Sequence, residues 1–124
     1  MITSSQEADV SQARRATAAF LAENCPWVDR DAVVLVVSEL IANAERHASG
    51  WWRLSVSVQE GSLVVELRDG SEAVPVARQG DLGGAGGHGW HIVQRLATDV
   101  AIENRPGGKS VRARWQPAEN VLCA

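Results

Sequence analysis

The stretch Asp31 to Ser49, DAVVLVVSELIANAERHAS, decides how this chain is read. Advanced at about 100° per residue, as a helix advances, it gathers its apolar residues on one side. Val33, Val36, Val37, Leu40, Ile41 and Ala44 form that face. Glu39 and Asn43 lie four residues apart on one stripe at its edge. A carboxylate and a carboxamide are thereby set one turn apart, between the core and an adjoining cleft. Such a pair can hold a divalent cation and orient a nucleophile. Two solvated polar residues on a helix flank would give the same pattern, so the stretch alone leaves both readings open.

Working outward, Ser4-Ser5-Gln6-Glu7 has the form of a capping box with Ser4 as N-cap. Val10, Ala13, Thr17, Phe20 and Leu21 then recur at helical spacing, which predicts a first helix ending near Glu23. Pro26 interrupts it, Asp29 or Asp31 starts the long helix, and Gly50 ends that helix. Downstream, Trp52, Leu54, Val56 and Val58 alternate with Arg53, Ser55, Ser57 and Gln59, the pattern of a half-buried strand. Glu60-Gly61-Ser62 reads as a tight turn into a second strand carrying Leu63, Val65 and Leu67. The same alternation puts Asp69 on the apolar side, where a carboxylate is costly without a partner. The alternative is that the strand has ended and Asp69 caps a turn with Gly70; the inward placement is preferred.

From Gly70 to His88 there is no periodicity, and Gly83 to Gly87 holds four glycines. Helical spacing resumes with Trp90, Ile92, Val93, Leu96 and Ala97. Strands follow at Asp99 to Glu103 and Lys109 to Trp115, joined by Asn104 to Gly108, and the tail at 117–124 reads as frayed. Helices interleaved with two hairpins predict an α+β fold. The expected architecture is a two-layer sandwich of three main helices on a four-stranded or slightly larger mixed or antiparallel sheet. Residues 1–124 fit one domain with one core.

Composition bounds the function. Hydrophobic content of 45% and charged content of 22% suit a globular chain. A formal net charge of −3 gives no electrostatic support for nucleic acid or an anionic membrane. No apolar run is long enough to span a bilayer, and no signal peptide is recognisable. Cys25 and Cys123 lack metal-type spacing and read as reduced thiols of a cytoplasmic protein. The five tryptophans are expected mostly in the core or at an interface.

Two motifs fail on context. Gly84-Ala85-Gly86-Gly87-His88-Gly89 satisfies G-x-G-x-x-G, but no strand leads directly into it and a hairpin follows. Gly108-Lys109-Ser110 resembles half a P-loop, but Glu103 stands where a glycine is required. His88-x-x-His91 has no third ligand spaced to join it. What remains is a glycine-rich loop delivering a helix N-terminus at Gly87-His88-Gly89, where backbone N–H groups and the helix dipole attract phosphate.

Taken jointly, these segments resemble the GHKL ATPase superfamily, and within it the small bacterial anti-sigma regulatory serine/threonine kinases. Glu39-Leu40-Ile41-Ala42-Asn43-Ala44-Glu45-Arg46-His47-Ala48 is similar to the N box E-L-x-x-N-A-x-x-H-A. Asp69-Gly70-Ser71 with Pro75 resembles the first glycine box, and Gly87-His88-Gly89-Trp90 with Ile92-Val93 the second. Gly107-Gly108-Lys109-Ser110-Val111 resembles the strand-opening segment near the end of the family. The sequence departs from the pattern in its short N-terminus, His88 in place of Arg, Asp99-Val100 in place of Trp-Gly, and Trp51-Trp52.

The resemblance implies ATP and Mg²⁺ as cofactors. Asn43 would hold Mg²⁺, Asp69 would accept from the adenine amino group, and the Gly86, Gly87, His88 and Gly89 backbone would close on the phosphates. Gly70 and Lys109 complete the implied nucleotide-binding set, and Glu39 is the implied general base. Ser71 to Gly87 is expected to form a lid ordered by ATP. The implied function is an anti-sigma factor that phosphorylates an anti-anti-sigma antagonist. The alternative is a noncatalytic ATP-gated module that sequesters a protein partner. Implied partners are the antagonist and a sigma factor, with no nucleic acid or membrane, and a homodimer is compatible with the resemblance.

Overall fold

The structure, a computed structural model, describes residues 1–47, 51–70 and 85–117. Eight elements follow in the order β1 (Ile2–Ser4), α1 (Val10–Asn24), α2 (Arg30–His47), β2 (Trp52–Gln59), β3 (Ser62–Asp69), α3 (Ala85–Leu96), β4 (Asp99–Arg105) and β5 (Gly108–Trp115). The strands form one antiparallel five-stranded sheet in the order β1-β2-β3-β5-β4. With three helices laid against it, this is the expected α+β two-layer sandwich. The expected lid falls at residues 71–84 outside the described residues, as do Ser71, Pro75, Gly50 and Cys123; residues 85–87 belong to α3.

One face of the sheet carries the core. Trp52, Leu54 and Val56 of β2, Leu63, Val65 and Leu67 of β3, and Val111, Ala113 and Trp115 of β5 are buried on it. Val33, Val36, Val37, Leu40, Ile41 and Ala44 of α2 are all buried against this layer, as their periodicity requires. Ala13 and Leu21 of α1 and Val93 of α3 complete it. Of the tryptophans, Trp52 and Trp115 are core, Trp90 packs against the core, and Trp27 and Trp51 are exposed.

Two local expectations need correction, and one alternative is resolved. Ser4 is not a helix N-cap. It ends β1, pairing with Arg53 of β2, while the Met1 carbonyl accepts from the Val56 N–H at 2.8 Å. The true cap of α1 is Asp9, whose carboxylate accepts from the Gln12 N–H at 2.8 Å while the Gln12 side chain accepts from the Asp9 N–H at 2.9 Å. Residues 2–4 pair in the sheet, which satisfies their backbone groups without a further helical turn. Asp29, rather than Asp31, caps α2 through the Ala32 N–H at 3.2 Å. The second correction is α3, which begins at Ala85, two residues before the expected start, so Gly86, Gly87, His88 and Gly89 lie in its opening turns. Helical glycine costs about 1 kcal/mol relative to alanine. Docking of the following apolar stripe, with Val93 and Ala97 buried, outweighs local propensity.

Candidate functional site

The β3–β5 pairing positions the acidic residue. Alternation along β3 brings Asp69 to the core face in line with Leu63, Val65 and Leu67, and Asp69 is only 4% exposed. Its register partners are Trp52 on β2 and Lys109 on β5. Lys109 answers the cost of a buried carboxylate: its Nζ donates to both Asp69 oxygens, at 2.9 and 3.2 Å. The Lys109 and Asp69 side chains are 0% and 1% exposed. The other neighbour, Trp52, is buried, and its indole N–H has no hydrogen-bond partner among the described residues. A carboxylate, an ammonium and an indole thus form one row at the end of the sheet.

Gly108 permits this row. A Cβ there would overlap the Asp69 carbonyl oxygen and lie 3.2 Å from the Gly70 Cα. Gly107, at φ 79°, makes the turn between β4 and β5. The Asp69–Gly70 backbone and the Gly107–Gly108 turn are therefore packed without intervening side chains. Asp69 and Lys109 also line a shallow cleft of about 170 Å³ with Trp51, Arg68, Arg105 and Pro106.

Helix α2 supplies the second group. Glu39 and Asn43 are both half-buried, one turn apart. Neither forms a hydrogen bond or ion pair among the described residues, so both polar ends stand available at the edge of the core. Helix α2 packs against α3 and touches β3. Helix α3 opens with Ala85, Gly86, Gly87 and His88, and the first four backbone N–H groups of a helix have no intrahelical acceptor. Donors and a helix dipole therefore stand at one end of α3. Among the described residues no group of three or more His, Cys, Asp or Glu side chains could hold a metal ion unaided. A single carboxamide nonetheless suits Mg²⁺, which keeps water and phosphate oxygens for most of its shell.

Sequence reasoning singled out Glu39, Asn43, Asp69 and Lys109 but not the Asp69–Lys109 ion pair, which joins residues 40 apart and depends on strand register. It also missed Trp52 as the cross-strand neighbour of Asp69. Counting back from the 60–61 turn would have revealed that pairing.

The sequence profile of the histidine kinase-like ATPase domain matches residues 3–115. No curated protein matches the chain. Among solved structures, the catalytic domain of the histidine kinase ThkA superposes with a TM-score of 0.56 at 12% identity, covering 94% of this chain and 95% of that one. The Acinetobacter baumannii histidine kinase AdeS superposes with a TM-score of 0.54 at 16% identity, covering 86% of this chain. This chain spans 62% of the AdeS chain. At these identities the likeness speaks to the fold.

Proposed function

The chain belongs to the histidine kinase-like ATPase family, and from that premise we propose that it binds Mg²⁺–ATP and acts as a serine/threonine protein kinase of the anti-sigma regulatory kind. Its substrate in this reading is an anti-anti-sigma antagonist, and its other partner is a sigma factor. The observation that carries the nucleotide reading is the buried Asp69 carboxylate at the end of β3, held by Lys109 beside an indole N–H that has no partner among the described residues. A carboxylate oxygen accepts and the adenine amino group donates, so the two match in chemistry.

Each remaining residue takes one role. Asn43 would hold Mg²⁺ through its amide oxygen; when bound, that ion neutralises phosphate charge. The backbone N–H groups at the start of α3 receive phosphate oxygens. Glu39, one turn before Asn43 and without an ion-pair partner among the described residues, takes the proton from the attacking serine or threonine hydroxyl. Phosphoryl transfer asks mainly for positioning and charge neutralisation, which this arrangement supplies.

The test is ³²P transfer from ATP to candidate antagonist proteins, comparing wild type with Glu39→Ala. Loss of a general base typically lowers the rate by about 10²–10⁴. Glu39→Ala should therefore retain ATP and lose transfer. A wild-type protein that binds ATP and its partner but transfers no phosphate would be a noncatalytic, ATP-gated module. Wild-type rates in Glu39→Ala would remove Glu39 from the base role.

A further inference from the structure

The face of the sheet turned away from the helices is largely charge-matched. Glu66 pairs with Arg112 at 3.2 Å, Asp99 with Arg114 at 2.6 Å, and Glu103 with Arg105 at 3.4 Å. One row breaks the pattern. Arg53 on β2 and Arg68 on β3 are direct cross-strand partners, and neither has an ion-pair partner among the described residues. Like charges placed opposite one another destabilise a sheet. Retaining such a pair costs stability unless an anion uses it.

The surroundings of this pair are rich in unsatisfied donors. Ser110 continues the row as the β5 partner of Arg68, and its hydroxyl is buried without a hydrogen-bond partner among the described residues. Arg105, which lines one cleft together with Arg68, has a buried Nε in the same condition. Arg68 also lines a second cleft of about 170 Å³ with Arg53, Ser55, Glu66 and Ile2. The one carboxylate there, Glu66, is engaged by Arg112. Apolar side chains flank the row: Trp51 is 39% exposed in the first cleft and Ile2 is 61% exposed in the second.

We propose that this end of the open sheet face docks an acidic segment of a protein partner, with carboxylates on Arg53 and Arg68 and apolar side chains against Trp51 and Ile2. Two clefts sharing one arginine suit an extended chain that alternates acidic and apolar residues. The apolar flanks favour a peptide over a free oxyanion. The net charge of −3 disfavours a nucleic acid backbone. The arginine pair lies on the face opposite α2, while the first cleft is also lined by Asp69 and Lys109, so the titration is run without nucleotide to keep the two readings apart.

The test uses the ¹⁵N-labelled full chain. Four probes are titrated: an acetylated peptide alternating glutamate and leucine, its glutamine–leucine counterpart, sodium phosphate, and a single-stranded oligonucleotide. The acidic peptide should shift the amides of Arg53, Arg68, Arg105 and Ser110 saturably, and more weakly as salt is raised. Arg53→Gln and Arg68→Gln should each weaken it about tenfold, the loss of one charge-assisted contact. Melting temperatures at or above that of the wild type for both variants confirm that the fold is intact. Equal binding of the glutamine peptide, phosphate producing the same shifts at the same concentration, tighter binding of a single-stranded oligonucleotide, or an unaffected double variant would each overturn the proposal.

Discussion

Replacing Lys109 with methionine should be among the most damaging single changes available in this protein. The substitution keeps a long unbranched side chain and removes only the ammonium. Asp69 then keeps its carboxylate at 1% side-chain exposure without the counter-charge that stood at 2.9 and 3.2 Å. Breaking a buried ion pair by removing one partner costs about 3–5 kcal/mol, because the remaining charge is left desolvated. Unfolding entropy of about 2.1 cal/mol/K per residue implies about 0.26 kcal/mol per degree for a chain of 124 residues. Lys109→Met should therefore lower the melting temperature by about 12–20 °C. Asp69→Leu combined with Lys109→Met removes both charges, and buried pairs replaced in this way are often neutral or better. The double variant should recover most of the loss, giving a coupling energy of about 2 kcal/mol or more in the cycle. Calorimetric melts of the four proteins decide it. A Lys109→Met loss below about 1 kcal/mol, the range of solvent-screened pairs, would refute the reasoning.

Other perturbations have defined outcomes. Gly108→Ala should lower stability by about 1–3 kcal/mol, because its Cβ would overlap the Asp69 carbonyl oxygen and push β5 from β3; a urea titration reads this directly. Asn43→Ala should abolish the Mg²⁺ dependence of ATP affinity, measured by titration with and without the ion. Burial pushes the Cys25 thiol up, opposed in part by a backbone hydrogen bond from Val28. The folded state therefore keeps this proton at a pH where the unfolded thiol, near about 8.5, has lost it. The contribution of Cys25 to stability is intact below that value and declines as pH rises through it. Iodoacetamide at pH 8 should modify Cys25 slowly in the native protein and quickly in urea, with peptide mapping to separate Cys123.

The period of the apolar residues made α2, the β2–β3 hairpin and the β4–β5 hairpin legible in the sequence. Each repeats its pattern over enough residues for burial to dominate local preference. Strand β1 was hidden because three residues, Ile2–Ser4, carry no period, and its pairing with β2 depends on residues about fifty positions away. The start of α3 was obscured because glycine gives no helical signal, while the packing that holds the helix comes from residues further along it. At the site, alternation along β3 was enough to turn Asp69 inward. The identity of its partner required the β3–β5 register, which no local pattern encodes.

The central claim is that Asp69 is the adenine-reading group of an ATP site, and titration calorimetry with Mg²⁺–ATP and Mg²⁺–GTP on wild type and Asp69→Ala tests it most directly. A hydrogen bond to a charged group contributes about 1.5–3 kcal/mol, so Asp69→Ala, at a temperature where its melt shows it folded, should bind ATP about 10- to 100-fold more weakly. Wild type should prefer ATP to GTP. Equal affinity for the two nucleotides, or an ATP affinity unchanged in Asp69→Ala, would contradict the account.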